Sequence, residues 1–358
     1  MKYIAILSSG TGGHVYPAYT LSIEYIKQGY KIIWIGTKNG LENKVIQDES
    51  IQIKHVKSQG IRGKNFLKKI FGLFNFLVSI VESFIIIKKY KPCLIFGFGG
   101  YVSLPGTISG FVLNIPVVTH EQNSIAGTAN KINYFLSKRI FETFPMSFNR
   151  QSNKIIHTGN PVRDNFNELE PPESVYSDSK SQINILILGG SQGSLFFNNT
   201  LPFAISNFDN NNISVKHICG FDNKKIVQEK YLKNKINAEV LEFTNDIDKC
   251  FNWATLVVCR AGSTSISEIA KIGRASIIIP FPYATDNHQL INAQYLAKNS
   301  ATILLEQKDD FIENFITTIN ILFNDQKRLY ALAKNIQTIF PKDTINIIVE
   351  NSLNLIKK

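Results

Sequence analysis

Short apolar runs alternate along this chain with longer stretches in which apolar residues recur every three or four positions. Runs of this length predict β-strands, and the stretches between them predict amphipathic helices. The predicted strands are residues 3–7, 32–35, 94–96, 117–119 and 140–141, followed by 183–188, 215–219, 240–243, 256–259 and 277–279. Regular alternation of strand and helix is typical of an α/β fold with parallel sheets.

The chain of 358 residues is long enough for two domains, at roughly 100–200 residues per domain. Residues 160–182 are polar and rich in proline and serine, which indicates a linker. We therefore predict an N-terminal domain at residues 1–162 and a C-terminal domain at residues 163–340, facing a shared central cleft. Residues 341–358 form a further predicted helix that can lie against either domain, including back on the first.

A glycine-rich turn follows the first strand of each predicted domain. Residues 9–14 read SGTGGH, and residues 189–194 read GGSQGS. Glycine lets the backbone approach a ligand closely, and the start of the next helix presents unpaired N–H groups to an anion. Both turns are therefore predicted to bind phosphate groups.

The second turn also contains the G-x-S-x-G pattern of serine hydrolases, with Ser191 as the nucleophile and Asp286 and His288 downstream. Asp286 and His288 are only two residues apart, whereas the acid and base of a triad come from different loops. The pattern therefore favours a Ser191 that cradles phosphate, and a hydrolase remains the alternative.

Candidate bases follow two predicted strands of the first domain. His14 lies at the start of a helix, where the helix dipole favours a neutral imidazole that can accept a proton. His120, Glu121 and Asn123 follow the strand at 117–119, and residues at the carboxyl ends of parallel strands line the ligand crevice. Glu121 is the second candidate base, and Asn123 is a candidate for hydrogen bonding to substrate. A glycine loop at residues 97–101 ends with Tyr101.

Hydroxyl residues crowd the helix start after the strand at 256–259. Residues 259–268 read CRAGSTSISE, and we expect their amides and hydroxyls to hold a diphosphate while Glu268 accepts hydrogen bonds from ribose hydroxyls. A capping box formed by Ser265 and Glu268 is the structural alternative.

The net charge of +11 calls for an anionic partner. No nucleic-acid-binding motif is present, so nucleic acid is not expected. Lysines flank the apolar residues 70–87, and one narrow stripe of small or polar residues repeats there at helical spacing. Its members are Lys68, Gly72, Asn75, Ser79 and Glu82.

The sequence supports two interpretations of this helix. It is either buried between the sheet and its neighbours, or it lies on an anionic membrane surface with aromatic side chains in the headgroup region and lysines on the lipid phosphates. Asn75 and Glu82 interrupt the run, so a transmembrane span is not expected.

Metal binding has little support in the sequence. Asp246-Ile247-Asp248 spells D-x-D, but three letters are a weak signal, and a helix cap explains them equally well. The four cysteines are scattered without zinc spacing, which is typical of a reducing cytosol.

Six motifs, in this order, resemble the MurG family of bacterial N-acetylglucosaminyltransferases, which convert lipid I to lipid II in peptidoglycan synthesis and so serve cell shape and division. They are residues 10–14 (GTGGH), 99–103 (GGYVS), 120–123 (HEQN), 159–163 (GNPVR), 189–193 (GGSQG) and 259–268.

The resemblance implies a GT-B fold of two Rossmann-like domains, with the undecaprenyl-linked acceptor on the first and UDP-GlcNAc on the second. It implies an inverting transfer to the 4-hydroxyl of MurNAc without metal or other cofactor, on the cytoplasmic face of the inner membrane. His14 or Glu121 would be the base. The substrate-binding residues that it implies are Thr11, Gly12, Gly13, Tyr101, His120, Asn123, Arg163, Ser191, Asn198, Thr244, Ser263, Thr264, Ser265, Ile266, Ser267, Glu268 and Gln289.

Two other functions fit the same motifs. A UDP-GlcNAc 2-epimerase shares the fold and the donor, and a non-catalytic UDP-sugar-binding protein shares the pocket alone. Thr244 stands where the family usually has an aliphatic residue, which leaves its backbone as the contact to the base.

Overall fold

The computed structural model describes residues 2–58, 66–177, 183–190, 192–208 and 213–357, with residues 66–71 described as helix without their side chains. The chain divides into two compact units. The first unit is Met1–Arg163 with Asp343–Lys358, and the second unit is Asp164–Lys342.

The first unit contains a seven-stranded parallel sheet. Its strands are β1 (Tyr3–Leu7), β2 (Lys31–Gly36), β3 (Ile51–His55), β4 (Leu94–Gly97), β5 (Val117–Glu121), β6 (Arg139–Glu142) and β7 (Ile155–His157). The order is β3-β2-β1-β4-β5-β6-β7. The helices on its faces are α1 (Gly12–Lys27), α2 (Glu42–Val45), α3 (Phe66–Tyr90), α4 (Gly100–Val112) and α5 (Thr128–Leu136).

The second unit repeats this plan with six parallel strands in the order β10-β9-β8-β11-β12-β13. They are β8 (Ile183–Leu188), β9 (Ile213–Ile218), β10 (Ala238–Leu241), β11 (Leu256–Cys259), β12 (Ala275–Ile278) and β13 (Ile303–Leu304). The helices are α6 (Pro172–Val175), α7 (Leu195–Ser206), α8 (Lys224–Lys233), α9 (Ile247–Trp253), α10 (Ser263–Ile272), α11 (His288–Lys298), α12 (Phe311–Asn324) and α13 (Gln326–Gln337).

In both sheets the strands are added outward in one direction from the first strand, and the next strands are then added on its other side. This reversal of strand order lies between β1 and β4 in one unit and between β8 and β11 in the other. Helices on both faces bury the strands, which explains why the central ones read as continuous apolar runs. Ligands in such sheets bind outside the carboxyl ends of the strands at this reversal. The predicted α/β fold of two Rossmann-like domains is confirmed.

The last helix, α14 (Thr344–Leu353), belongs to the first unit. Its Ser352 hydroxyl lies 2.5 Å from the buried Tyr25 hydroxyl of α1, and its Thr344 hydroxyl donates to the Thr158 carbonyl at 2.6 Å. Ile348 and Leu353 join the core cluster around Tyr25. These contacts attach the end of the chain to the first sheet.

All the predicted strands are present, and β3, β7 and β13 were missed. β7 and β13 have only three and two residues, and β3 alternates with polar residues, so none forms an apolar run. The linker prediction is wrong for the part around Phe166 and Val175. Both side chains are buried, and the Phe166 ring packs 5.6 Å from the ring of Phe251 in the second unit.

The described small residues of α3 face the protein, and five of its large apolar residues are exposed to solvent, whereas Ile87 near the end of the helix is buried. Gly72, Ser79 and Ser83 are buried, and α3 packs against α4, where the Ser109 hydroxyl reaches the Ile80 carbonyl at 3.1 Å. Small residues let the two backbones approach, which leaves the opposite face uncovered. The interpretation of α3 as a wholly buried helix is wrong. No helix in the described part of the chain has the length and hydropathy to span a bilayer.

Candidate active site

The glycine turn after β1 is held in place by side chains of the neighbouring strand β2 and the loop that follows it. The Trp34 indole N–H donates to the Ser8 carbonyl at 2.8 Å, and the Ser9 and Thr37 hydroxyls are 2.8 Å apart. The buried Glu42 accepts from the Thr37 amide at 2.7 Å. Gly10 has a φ of +100°, a backbone conformation that residues other than glycine rarely adopt. The turn is therefore a preformed feature of the fold.

His14, Tyr101 and Arg163 lie around the start of α1. His14 is half-buried, with its Nδ1 3.5 Å from the Thr11 hydroxyl. A Cβ added to Gly10 would lie 3.9 Å from the Tyr101 hydroxyl, and the Arg163 guanidinium lies 5.0 Å from the ring centre of Tyr16. The structure thus brings these three predicted residues to one region of the first unit.

His120 is fully buried, unlike His14. Its Nε2–H donates to the Gly159 carbonyl at 3.0 Å, and burial lowers its pKa to about 4. A neutral imidazole bonded to backbone joins β5 to the segment before Arg163. This geometry favours a supporting role for His120 over direct contact with substrate.

Glu121 holds the loop that follows β5. Its Oε1 accepts from the backbone N–H and the side-chain amide of Asn123 at 3.0 and 3.5 Å, and its Oε2 accepts from the Gly127 N–H and the Asn130 amide at 3.1 and 2.8 Å. The side chain is 2% exposed, and burial raises its pKa against the lowering effect of these hydrogen bonds. A carboxylate whose oxygens each accept two hydrogen bonds inside the protein is poorly placed to reach a substrate hydroxyl.

The glycine turn of the second unit packs directly on the end of β9. Gly193 has a φ of +74°, and a Cβ there would lie 2.1 Å from the Cys219 carbonyl oxygen, so only glycine fits. Ser194 then caps α7, with its hydroxyl accepting from the Phe197 N–H at 3.3 Å. Ser191 lies outside the described residues, and the nucleophile prediction lies there with it. Of its proposed partners, Asp286 is exposed, and His288 bonds to the Thr285 carbonyl through Nδ1 at 2.7 Å.

Helix α10 begins at Ser263, with Gly262 as its N-cap and no side-chain cap. Ser265 therefore lies inside the first turn, and the capping-box alternative for Ser265 and Glu268 is wrong. Glu268 is 6% exposed one turn later, and within the described residues the Thr264 hydroxyl has no hydrogen-bond partner. Uncapped amides and a free hydroxyl at a helix start suit an anionic ligand.

Three further predicted residues of the second unit connect its loops. Asn198 is 2% exposed and donates to the Cys219 carbonyl at 3.0 Å. The Thr244 hydroxyl accepts from the Asp246 N–H at 3.1 Å, and Gln289 accepts from the Phe281 N–H at 2.9 Å. Asp246 pairs with Lys249 at 2.9 Å, and no cluster of three metal-ligating side chains occurs among the described residues.

Arg260 is a residue that the sequence analysis missed. It is 8% exposed, donates to the Ser194 hydroxyl at 2.9 Å and Gln307 Oε1 at 3.1 Å, and also reaches the carbonyls of Ile279 and Pro280. Burial lowers its pKa to about 10, so it is still charged at neutral pH. It joins the loops after β8, β11 and β12, and its position directly after a buried strand was the available signal.

A pair of exposed aromatic rings was also missed. Phe221 and Phe243 are 61% and 47% exposed, and their rings stack 5.9 Å apart at an angle of 15°. They follow β9 and β10, where the Asp222 N–H donates to Glu242 at 3.1 Å. Phe243 was predicted inside a strand, but the strand ends at Leu241. A phenylalanine directly after Gly220 at a strand end was the overlooked signal.

Two domain families match this chain. The glycosyltransferase family 28 N-terminal domain matches residues 4–142, and the family 28 C-terminal domain matches residues 184–347. A Haemophilus ducreyi protein is 37% identical over 336 residues, covering 93% of both chains, and a Coxiella burnetii protein is 34% identical, covering 98% of this chain and 97% of its own. Both are named UDP-N-acetylglucosamine–N-acetylmuramyl-(pentapeptide) pyrophosphoryl-undecaprenol N-acetylglucosamine transferase.

Solved structures resemble the whole chain. The crystal structure of MurG from Acinetobacter baumannii has a TM-score of 0.82 at 28% identity and covers 99% of this chain and all of its own. A UDP-GlcNAc 2-epimerase from Neisseria meningitidis, bound to UDP-GlcNAc, has a TM-score of 0.68 at 15% identity over 99% of this chain. At that identity the epimerase supports the fold alone.

Two Rossmann-like units, each with a glycine turn at the carboxyl edge of its sheet, form a GT-B fold, and the two domain matches make the class a glycosyltransferase. The chain belongs to glycosyltransferase family 28, together with the Haemophilus and Coxiella transferases. The resemblance inferred from the six motifs is confirmed.

Proposed function

We propose that this enzyme transfers GlcNAc from UDP-GlcNAc to the 4-hydroxyl of MurNAc in lipid I, forming lipid II. The observation that carries the proposal is the likeness, over 93% of the chain, to a relative named for this transfer. The described motif residues lie at the carboxyl ends of β1, β4, β5, β7, β8 and β11, in the loops after these strands, or in the first two turns of the helices that follow, where substrates of such sheets bind.

The second unit, residues 163–340 in the sequence prediction, is the proposed donor domain. Helix α10 offers the diphosphate its N-terminal amides and the hydroxyls of residues 263–265, while Glu268 accepts from the ribose. The positive ends of α7 and α10 lower the energy of the charge that develops on the leaving UDP. Arg163, which lies beside Tyr16 in the first unit, is a further cation proposed to bind substrate phosphate.

The nucleobase is proposed to stack on the Phe221–Phe243 pair. Rings exposed to this extent beside a phosphate-binding turn provide a flat apolar surface that a pyrimidine can cover. Stacking of a base on an aromatic side chain is worth about 1–3 kcal/mol.

Phe221→Ala should therefore weaken UDP binding by roughly fivefold to 150-fold, measured by calorimetry. Phe203→Ala is the matched control, because Phe203 is 52% exposed on α7. Equal affinity of the Phe221 variant and the parent would remove the base from this surface.

The first unit, residues 1–162 with the returning residues 341–358, is the proposed acceptor domain. His14 is the favoured base, because it is half-buried at the helix start while both oxygens of Glu121 are occupied. Thr11, Gly12, Gly13, Tyr101 and Asn123 contact the acceptor or the transferred sugar. The displacement at C1 of GlcNAc then proceeds with inversion.

A turnover assay with UDP-GlcNAc and a lipid I analogue tests this function. UDP release that requires the acceptor and yields a disaccharide product is expected. Conversion of UDP-GlcNAc to its 2-epimer without acceptor would identify an epimerase, and binding of UDP-GlcNAc without turnover would identify a binding protein.

The exposed face of α3 is the proposed membrane-binding surface, on the inner membrane. Leu73, Phe74, Leu77, Val81 and Ile85 are each more than half exposed, and Lys88 and Lys89 follow them. Apolar side chains that enter the headgroup region, together with lysines at about 1 kcal/mol each on anionic lipid, suit peripheral attachment. This surface would bring the first unit to its lipid-linked acceptor.

Replacing Phe74, Leu77 and Val81 with serine should release the protein from anionic vesicles in co-sedimentation and leave UDP-GlcNAc affinity unchanged. The matched control replaces Phe203, Ile226 and Leu232, which are similarly exposed in the second unit. If vesicle binding weakened equally in both variants, or in neither, the result would contradict a membrane-binding surface on α3.

A further inference from the structure

Asn130 of α5 contacts the end of β5, directly before Asn123, and the segment directly before Tyr101, which are two of the three segments with proposed acceptor residues in the first unit. It is 2% exposed, and its side-chain amide donates to the His120 carbonyl at 3.1 Å and to Glu121 Oε2 at 2.8 Å. The same amide group packs against the loop after β4, where a Cβ added to Gly99 would lie 3.0 Å from Asn130 Nδ2. One buried side chain therefore supports the loops of Tyr101 and Asn123.

A second asparagine, together with Glu121 and the His120 carbonyl, fixes the orientation of this amide. Asn133 Nδ2 donates to Asn130 Oδ1 at 3.3 Å and to the Ser103 hydroxyl at 2.9 Å, while Asn133 Oδ1 accepts from the Thr107 hydroxyl at 2.5 Å. A flipped Asn130 would point its oxygen at the Glu121 carboxylate and its NH₂ at the Asn133 NH₂. The network therefore keeps Nδ2 of Asn130 on Glu121.

Glu121 transmits this orientation to the acceptor loop. Its Oε2 accepts from Asn130 and from the Gly127 N–H, and its Oε1 accepts twice from Asn123. Losing the Asn130 donor leaves a buried carboxylate one hydrogen bond short, which favours either its protonation or its movement. Both changes disturb the two contacts that orient Asn123.

We propose that Asn130 is a positioning residue for acceptor binding, acting through Glu121 on Asn123 and through Gly99 on the loop of Tyr101. This inference rests on the proposed function, and it assigns Glu121 to positioning. The donor-binding residues of the second unit take no part in the network.

Asn130→Asp is the sharpest test, because it preserves shape and replaces the donor with a second carboxyl beside Glu121. Two adjacent buried carboxyls repel each other when both are ionised, and after one of them takes up a proton it donates a hydrogen bond to the other. We expect kcat/KM for a lipid I analogue to fall by roughly tenfold to a hundredfold at pH 8, with the ratio of variant to parent recovering as the pH falls. Asn130→Ala should show the loss without the recovery.

Calorimetric affinity for UDP-GlcNAc should stay at the parent value in both variants, which separates this inference from the proposed function. Tyr25→Phe is the control for stability, because it removes another buried hydrogen bond of the same unit. Parental kcat/KM in Asn130→Asp would overturn the proposal. If kcat/KM fell only in proportion to the drop in melting temperature, as in Tyr25→Phe, and did not recover at lower pH, Asn130 would have a structural role alone.

Discussion

His14→Ala is expected to lower kcat by roughly 10²–10⁴-fold and to leave the dissociation constant for UDP-GlcNAc little changed. Loss of a general base removes transition-state stabilisation, while the residues proposed for donor binding lie mainly in the second unit. Single-turnover kinetics with a lipid I analogue and calorimetry with UDP-GlcNAc measure the two quantities.

His55→Ala is the matched control, because His55 is an exposed histidine of the same unit that bonds to Asn43 at 2.8 Å. Glu121→Ala provides the competing result. If Glu121→Ala produced the full loss of kcat while His14→Ala was mild, the base would be Glu121, and its four internal hydrogen bonds would have to rearrange on acceptor binding.

Glu268→Ala should weaken UDP-GlcNAc binding by about 1.5–3 kcal/mol, which corresponds to roughly a tenfold to 150-fold rise in Kd. The carboxylate is 6% exposed in the second turn of α10, where it would accept charge-assisted hydrogen bonds from the ribose hydroxyls. Calorimetry with UDP-GlcNAc and with UDP checks the change, and both ligands should lose the same increment because they share the ribose.

Glu313→Ala is the control for removing one negative charge from the same unit, because Glu313 is an exposed residue in the first turn of α12. An unchanged Kd in Glu268→Ala, accompanied by a lower melting temperature, would assign Glu268 to helix packing alone.

The site illustrates what local pattern indicates and where it stops. Glycine turns and a hydroxyl-rich helix start are contiguous in sequence, so residues 9–14, 189–194 and 259–268 were recognisable without any structure. The role of Arg260, although the residue lies within the last of these motifs, was not recognisable, because it depends on Ser194 and Gln307, which are distant in sequence and meet Arg260 only in the fold. The Phe221–Phe243 pair escaped for the same reason.

The sequence pattern of helix α3 was compatible with both a buried helix and a membrane-surface helix. Its spacing indicated an apolar face and a stripe of small residues, but spacing does not say which face meets the protein. The stripe of small residues packs against α4, because Gly72 and Ser79 let the two helices approach closely. Leu73 and Phe74 are therefore exposed to solvent.

By itself the sequence determined the α/β class, the strands with continuous apolar runs, the family and the turns that suit phosphate, since all of these depend on short-range pattern and backbone geometry. Only the tertiary structure showed that α14 packs on the first unit and which face of α3 is exposed to solvent. It also showed that both oxygens of Glu121 accept hydrogen bonds within the protein. Those outcomes depend on hydrogen bonds and packing between residues far apart in the chain, such as Tyr25 with Ser352, for which periodicity carries no information.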